Sequence, residues 1–177
     1  ETGWEPYDPQ TNEKLQNIPT PETAELLGTS VYALTKRMQE ELILNLDTLY
    51  GIPALSLRFF NVYGPRQALS NPYTGVLAIF ISQIHNNKAP CVYEDGNQTR
   101  DFIYVKDVVK AITLALDSNV HGIKINVGSG QGYKIGELAQ KLCSMLNPKL
   151  KPNITQKFRK GDIRHCTADT TLLEKVL

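Results

Sequence analysis

At 177 residues, 41% of them hydrophobic and 21% charged, the chain is long enough to bury one sizeable core and has an ordinary globular composition. A net charge of +1 gives no electrostatic case for a nucleic acid or an anionic membrane surface, and no apolar run reaches the ~18 residues of a membrane span. Cys91, Cys143 and Cys166 lack CxxC spacing, and His85, His121 and His165 are scattered; both patterns argue for reduced thiols in the cytoplasm and for no metal site.

The opening ETGWEPYDPQ is acidic and polar, unlike a signal peptide. Residues 1–28 carry Pro6, Pro9, Pro19 and Pro21 and read as an irregular surface loop, with one short turn of helix in TPETAELLG. The spacing then predicts one amphipathic helix over 30–51. Ser30 or Thr29 is its N-cap, Leu34, Met38, Leu42 and Leu46 form an apolar stripe, and Gly51 stands where a left-handed residue ends helices.

Tyr32 and Lys36, four apart, share one face of that helix. A phenol beside an ammonium is a proton-transfer device, because the positive charge favours the phenolate. With 8 tyrosines and 13 lysines in the chain, however, one such pair is close to what chance supplies. On spacing alone, a packed tyrosine beside an exposed lysine is the commoner arrangement.

Residues 54–60 form a short, nearly continuous apolar run, expected as a strand buried on both faces of a parallel sheet. Asn61, Tyr63, Gly64, Pro65 and Arg66 follow at once. Polar groups at the carboxyl end of such a strand are where open α/β sheets bind ligands, although a Gly-Pro turn reads the same way. ALSNPY (68–73) continues the loop, and GVLAIFISQIHNN is a buried helix stopping at Asn86 and Asn87. A short strand over 90–93, a turn with hairpin chemistry over 94–97 and a strand over 99–105 come next. A helix over 105–119 has Val108, Ile112, Ala115 and Leu116 on one side. Beyond it lie a strand over 122–128, a helix over 135–147, a strand entering a polar loop over 154–165, and the start of a helix in ADTTLLEKVL.

This alternation predicts the α/β class. The chain opens in a loop and ends within a helix, so it is expected to be part of a larger domain. NVGSGQG (126–132) invites a dinucleotide-fingerprint reading. Its third glycine falls one residue early for G-x-G-x-x-G, where Tyr133 stands, and a tight strand-to-helix turn is the better reading.

SVYALTK, RFFNVYGPRQ, EDGNQTRDFIYVKDV, NVGSG and FRKGDIRH, in that order, resemble the carboxyl-terminal portion of an extended short-chain dehydrogenase/reductase. Within that superfamily they resemble the NAD-dependent nucleotide-sugar epimerases and dehydratases. WEPYDPQTNEKLQNIPTPE and RQALSNPYTGVLAIF look most like a subgroup of 4-epimerases acting on UDP- or dTDP-sugars, such as UDP-glucose and dTDP-L-rhamnose 4-epimerases. The subgroup's CPxCG-like pair is replaced here by YDPQTNE.

The resemblance implies a Rossmann-like fold. Residues 1–67 would end the dinucleotide-binding domain, and 68–177 would mostly bind the nucleotide-sugar, with segments returning to the sheet. Tyr32 would be the catalytic acid/base and Lys36 its partner, both contacting NAD, with Phe60 at the nicotinamide. Asn61 and the backbone of Val76 would hold the sugar-nucleotide diphosphate. Cys91, Val92 and Tyr93 would line the base, Arg100 and Arg159 would neutralise the diphosphate, and Asp162 would reach the ribose. A homodimer through the Tyr32 helix is implied as well.

The family's glycine fingerprint, acidic ribose ligand and triad Ser/Thr do not occur in these residues, so the chain alone is expected to be inactive and to hold NAD poorly. C4 epimerisation through a 4-keto sugar is the leading expectation. A 4,6-dehydratase or reductase of the same superfamily and a non-catalytic nucleotide-sugar-binding remnant are the alternatives.

Overall fold

The computed structural model describes residues 4–28, 30–68, 75–158 and 161–177. Helix α1 (Val31–Tyr50) begins where the Ser30 hydroxyl accepts from the Ala33 N–H at 3.1 Å. It stops at Gly51, whose φ of 63° turns the chain while its N–H donates to the Asp47 carbonyl. The chain continues through β1 (Ser56–Phe59), β2 (Asn61–Tyr63), α2 (Val76–His85), β3 (Cys91–Val92), β4 (Thr99–Tyr104) and α3 (Val105–Asp117). It closes with β5 (Lys124–Val127), β6 (Gly132–Lys134), α4 (Ile135–Leu146), β7 (Asn153–Ile154), β8 (His165–Cys166) and α5 (Thr171–Val176).

The architecture is α/β with mainly parallel pairing. β1 runs parallel to β5, β2 and β8 run parallel to β4, β3 runs parallel to β7, and β6 runs antiparallel to β4. Two apolar clusters hold it together. In the first, Phe80 of α2, Val92, Phe102 and the α4 residues Ile135 and Ala139 are buried together, with Val76 and Leu77 packed on them. In the second, Ile103 and Val127 meet Val108 and Ala111 of α3, with Leu57, Val62 and Leu173 against them.

Leu57 and Val62 both pack on the second cluster although they are five residues apart. Strict strand alternation would send them to opposite faces. The alternation is therefore reset at Phe60, between β1 and β2, where the Phe60 N–H donates to the Val127 carbonyl at 3.1 Å before the chain transfers to β4. Ser56, Arg58 and Asn61 consequently share the face opposite that cluster.

Several local expectations change. The strand expected over 54–60 is parallel but shorter, and it is not enclosed: among the described residues it pairs only with β5, and Phe59 is 46% exposed. Asn61 lies in a strand rather than a loop, because its ladder with β4 begins immediately. The 94–97 turn does not make a hairpin, since β3 and β4 pair with other strands. It packs instead on the start of α4, where the Gly136 N–H donates to the Gly96 carbonyl at 2.8 Å. In α3 the buried positions are Val108 and Ala111, while Ile112 and Leu116 face outward.

Of the described residues between 154 and 165, only Ile154 and His165 are in strands, in β7 and β8. TPETAELLG forms no helix. The 126–132 stretch is not a direct strand-to-helix turn either, because β6 intervenes before α4. The amino-terminal segment is stitched into the sheet as well as lying over it. The Thr20 N–H donates to the Thr167 carbonyl at 2.7 Å, the Asn126 side chain donates to the Thr20 carbonyl at 2.9 Å, and Glu22 accepts the Asn126 N–H at 2.8 Å.

Candidate active site

One ion pair seats α1 on β1. Arg58 donates through Nε and Nη2 to the two Glu40 oxygens, each at 2.6 Å, and through Nη1 to the Glu22 carbonyl at 3.1 Å. The Arg58 hydrogen bonds hold the Glu40 carboxyl below its ordinary range. The chain reverses between α1 and β1, so the start of α1 lies toward the carboxyl end of β1. Counting back from Glu40, Lys36 and Tyr32 stand ~6 and ~12 Å up the helix. Counting on from Arg58, Phe60 and Asn61 lie ~7 and ~10 Å along the strand. Tyr32 and Lys36 are thus level with Phe60 and Asn61, on the side of the strand to which Asn61 points.

Tyr32 is 63% exposed, and Lys36 Nζ stands over its ring, 5.7 Å from the centroid. The same ammonium donates to Gln39 Oε1 at 3.2 Å. The Lys36 ammonium thus meets the face of the Tyr32 ring on an accessible helix surface.

The second half of the site is built on β4. Asn61 pairs in register with Phe102, so Arg100, two residues earlier on β4, faces the same way. Strand spacing and rise put the two Cα atoms ~8 Å apart. Arg100 is half-buried and gives Nη1 to two carbonyls, Thr99 at 2.8 Å and Arg164 at 3.1 Å. Among the described residues it has no carboxylate partner.

Val76 opens α2 behind Gly75, which caps without a side chain, so the first-turn N–H groups keep their capacity to donate. Val76 packs on the cluster that contains Val92 and Phe102. That one cluster draws the start of α2, the β3 segment and the register partner of Asn61 together.

The remaining expected ligands divide. The Val92 side chain is sealed in the core and its carbonyl accepts from Thr155, so it supports the wall rather than lining it. Cys91 is half-buried, with its N–H donated to Gln83 Oε1 at 3.2 Å. Tyr93 is exposed, and its carbonyl accepts from Gln98 Nε2 at 2.9 Å. Asp162 is exposed in the loop before β8. Arg159 lies outside the described residues, and with it the expected convergence of Arg100 and Arg159.

The glycine-rich stretch is closed on a carboxylate. Asp101 is fully buried; Oδ1 accepts the Ser129 N–H and hydroxyl, each at 2.7 Å, and Oδ2 accepts the Gly130 and Ala168 N–H groups, each at 3.0 Å. A Cβ on Gly128 would stand 2.7 Å from Asp101 Oδ2, which explains that glycine without any phosphate. Asp101, Arg58 with Glu40, and Arg164 went unremarked in the sequence. The available signal was a charged residue inside an apolar strand, in LSLRFF and TRDFIYV, since buried charge requires a partner.

Comparison with known proteins supplies the family. The model described as NAD dependent epimerase/dehydratase family matches residues 6–128. The dTDP-L-rhamnose 4-epimerase of Burkholderia thailandensis is 37% identical over 142 residues, 80% of this chain and 39% of that protein. A UDP-N-acetyl-alpha-D-glucosaminuronate decarboxylase of Bacillus cytotoxicus is 41% identical over 120 residues, 68% of this chain and 37% of that protein. Among solved structures, the UDP-N-acetylglucosamine 4-epimerase of Methanobrevibacter ruminantium, in complex with UDP-N-acetylmuramic acid, superposes with a TM-score of 0.83 at 38% identity, covering 90% of this chain and 51% of that one. The chain therefore spans between about two-fifths and half the length of these relatives. With the family match running from residue 6 through α1, β1, β2, β4 and β5 to Gly128, the chain belongs to the NAD dependent epimerase/dehydratase family.

Proposed function

We propose that this chain forms the Tyr–Lys and nucleotide-sugar side of an enzyme that inverts C4 of a UDP- or dTDP-linked sugar through a 4-keto intermediate. The observation that carries the reading is the shared face: Asn61 and Arg100, which among the described residues has no carboxylate partner, lie on the side of the sheet against which Arg58 and Glu40 hold α1, the helix of Tyr32 and Lys36. In this reading Asn61, Arg100 and the first-turn N–H groups of α2 hold the diphosphate. The segment Cys91, Val92 and Tyr93 walls the base, Asp162 reaches the ribose, and Arg159 is assigned to the diphosphate with Arg100.

The residues present suit NAD: an accessible phenol, a lysine ammonium beside it, and Phe60 at the carboxyl end of a parallel strand. Tyr32, Lys36 and Phe60 would hold its nicotinamide riboside end. NAD, when bound, supplies the acceptor and donor of the C4 hydride. Tyr32 takes the proton of the sugar 4-hydroxyl and later returns it. Lys36 stabilises the phenolate and orients the ribose. Arg100 and Asn61 anchor the diphosphate so that the hexose can present either face to Tyr32.

Residues 1–67 are assigned to the dinucleotide-binding side and 68–177 mainly to the substrate side; the return of β5 to pair with β1 supports that division. The exposed stripe of Val31, Leu34, Met38, Leu42 and Leu49 on α1 supports a homodimer through that helix. Among the described residues no helix is long and apolar enough to cross a membrane, and no His/Cys/Asp/Glu group of three could hold a metal ion. A cytoplasmic setting fits three free thiols.

Incubating the full-length enzyme with a panel of UDP- and dTDP-hexoses and reading C4 configuration by proton NMR tests the proposal. Interconversion of C4 epimers is the expected result. A 6-deoxy or decarboxylated product would replace the epimerase reading with another chemistry of the family.

A further inference from the structure

A cluster of charged side chains is centred on Arg164. Its side chain is only 14% exposed, yet it meets three carboxylates. Nη1 lies 2.6 Å from Glu94 Oε2 and 2.6 Å from Asp95 Oδ1, and Nη2 lies 2.6 Å from Glu5 Oε1 and 3.0 Å from Asp95 Oδ2. The next residue repeats the link: His165 Nδ1 is 2.9 Å from Thr99 Oγ1 and Nε2 is 3.2 Å from Glu5 Oε2. Lys14 adds a longer contact to Glu5 at 3.7 Å.

Glu5 belongs to an amino-terminal arm that docks here and folds on itself beyond. Trp4 stacks on Phe158 at 6.2 Å, and Tyr7 pairs with Lys14 across a tip that Asp8 caps. The main chain of Arg164 faces the proposed substrate site: its carbonyl accepts both the Thr99 N–H at 3.1 Å and Arg100 Nη1 at 3.1 Å. Its guanidinium meanwhile grips the 94–95 turn, which directly follows Tyr93.

We propose that Arg164 is a positioning residue that aims Arg100 at the substrate diphosphate, and that the arm residue Glu5 holds Arg164 in that role. This rests on the assignment of Arg100 as a diphosphate ligand. One carbonyl can orient a guanidinium only if it is itself fixed. Arg164 is fixed by a fork closed on both sides, by Glu94 and Asp95 from the body and by Glu5 from the arm. Remove Glu5 and the fork keeps its body contacts but loses the one on Nη2 that comes from the arm, so the Arg164 carbonyl gains freedom and Arg100 loses its aim. Burial works against the Glu5 carboxylate, but the hydrogen bonds from Arg164 and His165 outweigh it and hold that carboxyl below its usual range. The Arg164 hydrogen bond lowers Asp95 well below the usual range too.

A double-mutant cycle in the full-length enzyme, read by calorimetric binding of UDP and of dTDP, tests this. Glu5→Gln should weaken the diphosphate about 3–10-fold, Arg100→Met about 10–100-fold, and the pair no more than Arg100→Met alone. Arg164→Lys, which keeps a charge but loses the fork, should behave as Glu5→Gln does, with the thermal midpoint confirming a folded protein. A Glu5→Gln effect that is absent, or that adds fully to Arg100→Met, overturns the positioning role while leaving the diphosphate site intact. If Arg100→Met itself binds UDP and dTDP normally, the diphosphate assignment fails, and this inference fails with it.

Discussion

Arg58 grips Glu40 with two hydrogen bonds of 2.6 Å, joining β1 to the helix that carries Tyr32. Both side chains are largely withdrawn from solvent. The pair fixes how far α1 can slide over β1, and therefore which part of the strand Tyr32 faces. Glu40→Gln keeps the shape but removes the charge that Arg58 requires, and should cost about 2–3 kcal/mol. The carboxyl's folded value lies below its ordinary 4.5, so the stabilisation is complete above that value and disappears as pH falls through the lower, folded one. Thermal melts from pH 7 down to pH 3 should show wild type losing this increment and Glu40→Gln lacking it throughout.

The catalytic assignment separates from the binding one in kinetics. Tyr32→Phe removes the proton-carrying hydroxyl from an exposed position, so the fold should be unchanged and turnover should fall roughly 10²–10⁴-fold. Lys36→Ala should lower turnover as well, since Tyr32 loses the ammonium that stands over its ring. Near-wild-type turnover in Tyr32→Phe would remove this residue from the chemistry.

Arg100 carries the opposite signature. Among the described residues its charge meets only carbonyl oxygens, and its loss should raise KM by the equivalent of about 1.5–3 kcal/mol of charge-assisted bonding while turnover at saturation changes little. A variant Arg100→Met with unchanged KM and reduced turnover would place Arg100 in the chemical step instead.

Asp101 tests the architecture rather than the chemistry. Four donors converge on its carboxylate from Ser129, Gly130 and Ala168. Asp101→Asn would turn an amide N–H₂ toward donors and should cost about 2–3 kcal/mol. Hydrogen exchange at the Ser129 and Gly130 amides should accelerate most. Uniform acceleration across the chain, with no excess at those two amides, would show that the carboxylate does not organise the turn.

Much of the fold was legible because helix period and caps are local. Ser30, Gly51 and the apolar repeat of α1 act within a few residues of themselves, and the helix appears where they place it. The break at Phe60 was not legible. Phe59 and Phe60 are adjacent and both apolar, so no alternation marks the break, and only the packing of both Leu57 and Val62 on one cluster reveals the reset. The shared face of Asn61 and Arg100 depends on the β2–β4 register, set by residues about 40 apart in sequence, and the reset is tied to the still more distant Val127. The 94–97 turn had hairpin residues, but pairing partners are chosen by the sheet, and β3 found β7. Arg164 was hidden because its partners Glu5, Glu94 and Asp95 come from distant segments.

Isotope tracing of the C4 hydrogen tests the central claim most directly. UDP-glucose and dTDP-glucose carrying deuterium at C4 would be given to the full-length enzyme, and products read by deuterium and proton NMR. C4 epimerisation by hydride removal and return predicts that the label stays at C4 of the inverted sugar, with Tyr32→Phe slowing its appearance roughly 10²–10⁴-fold. A product with a ketone at C4 and the label moved to C6, as redox balance demands of a dehydration, would contradict it.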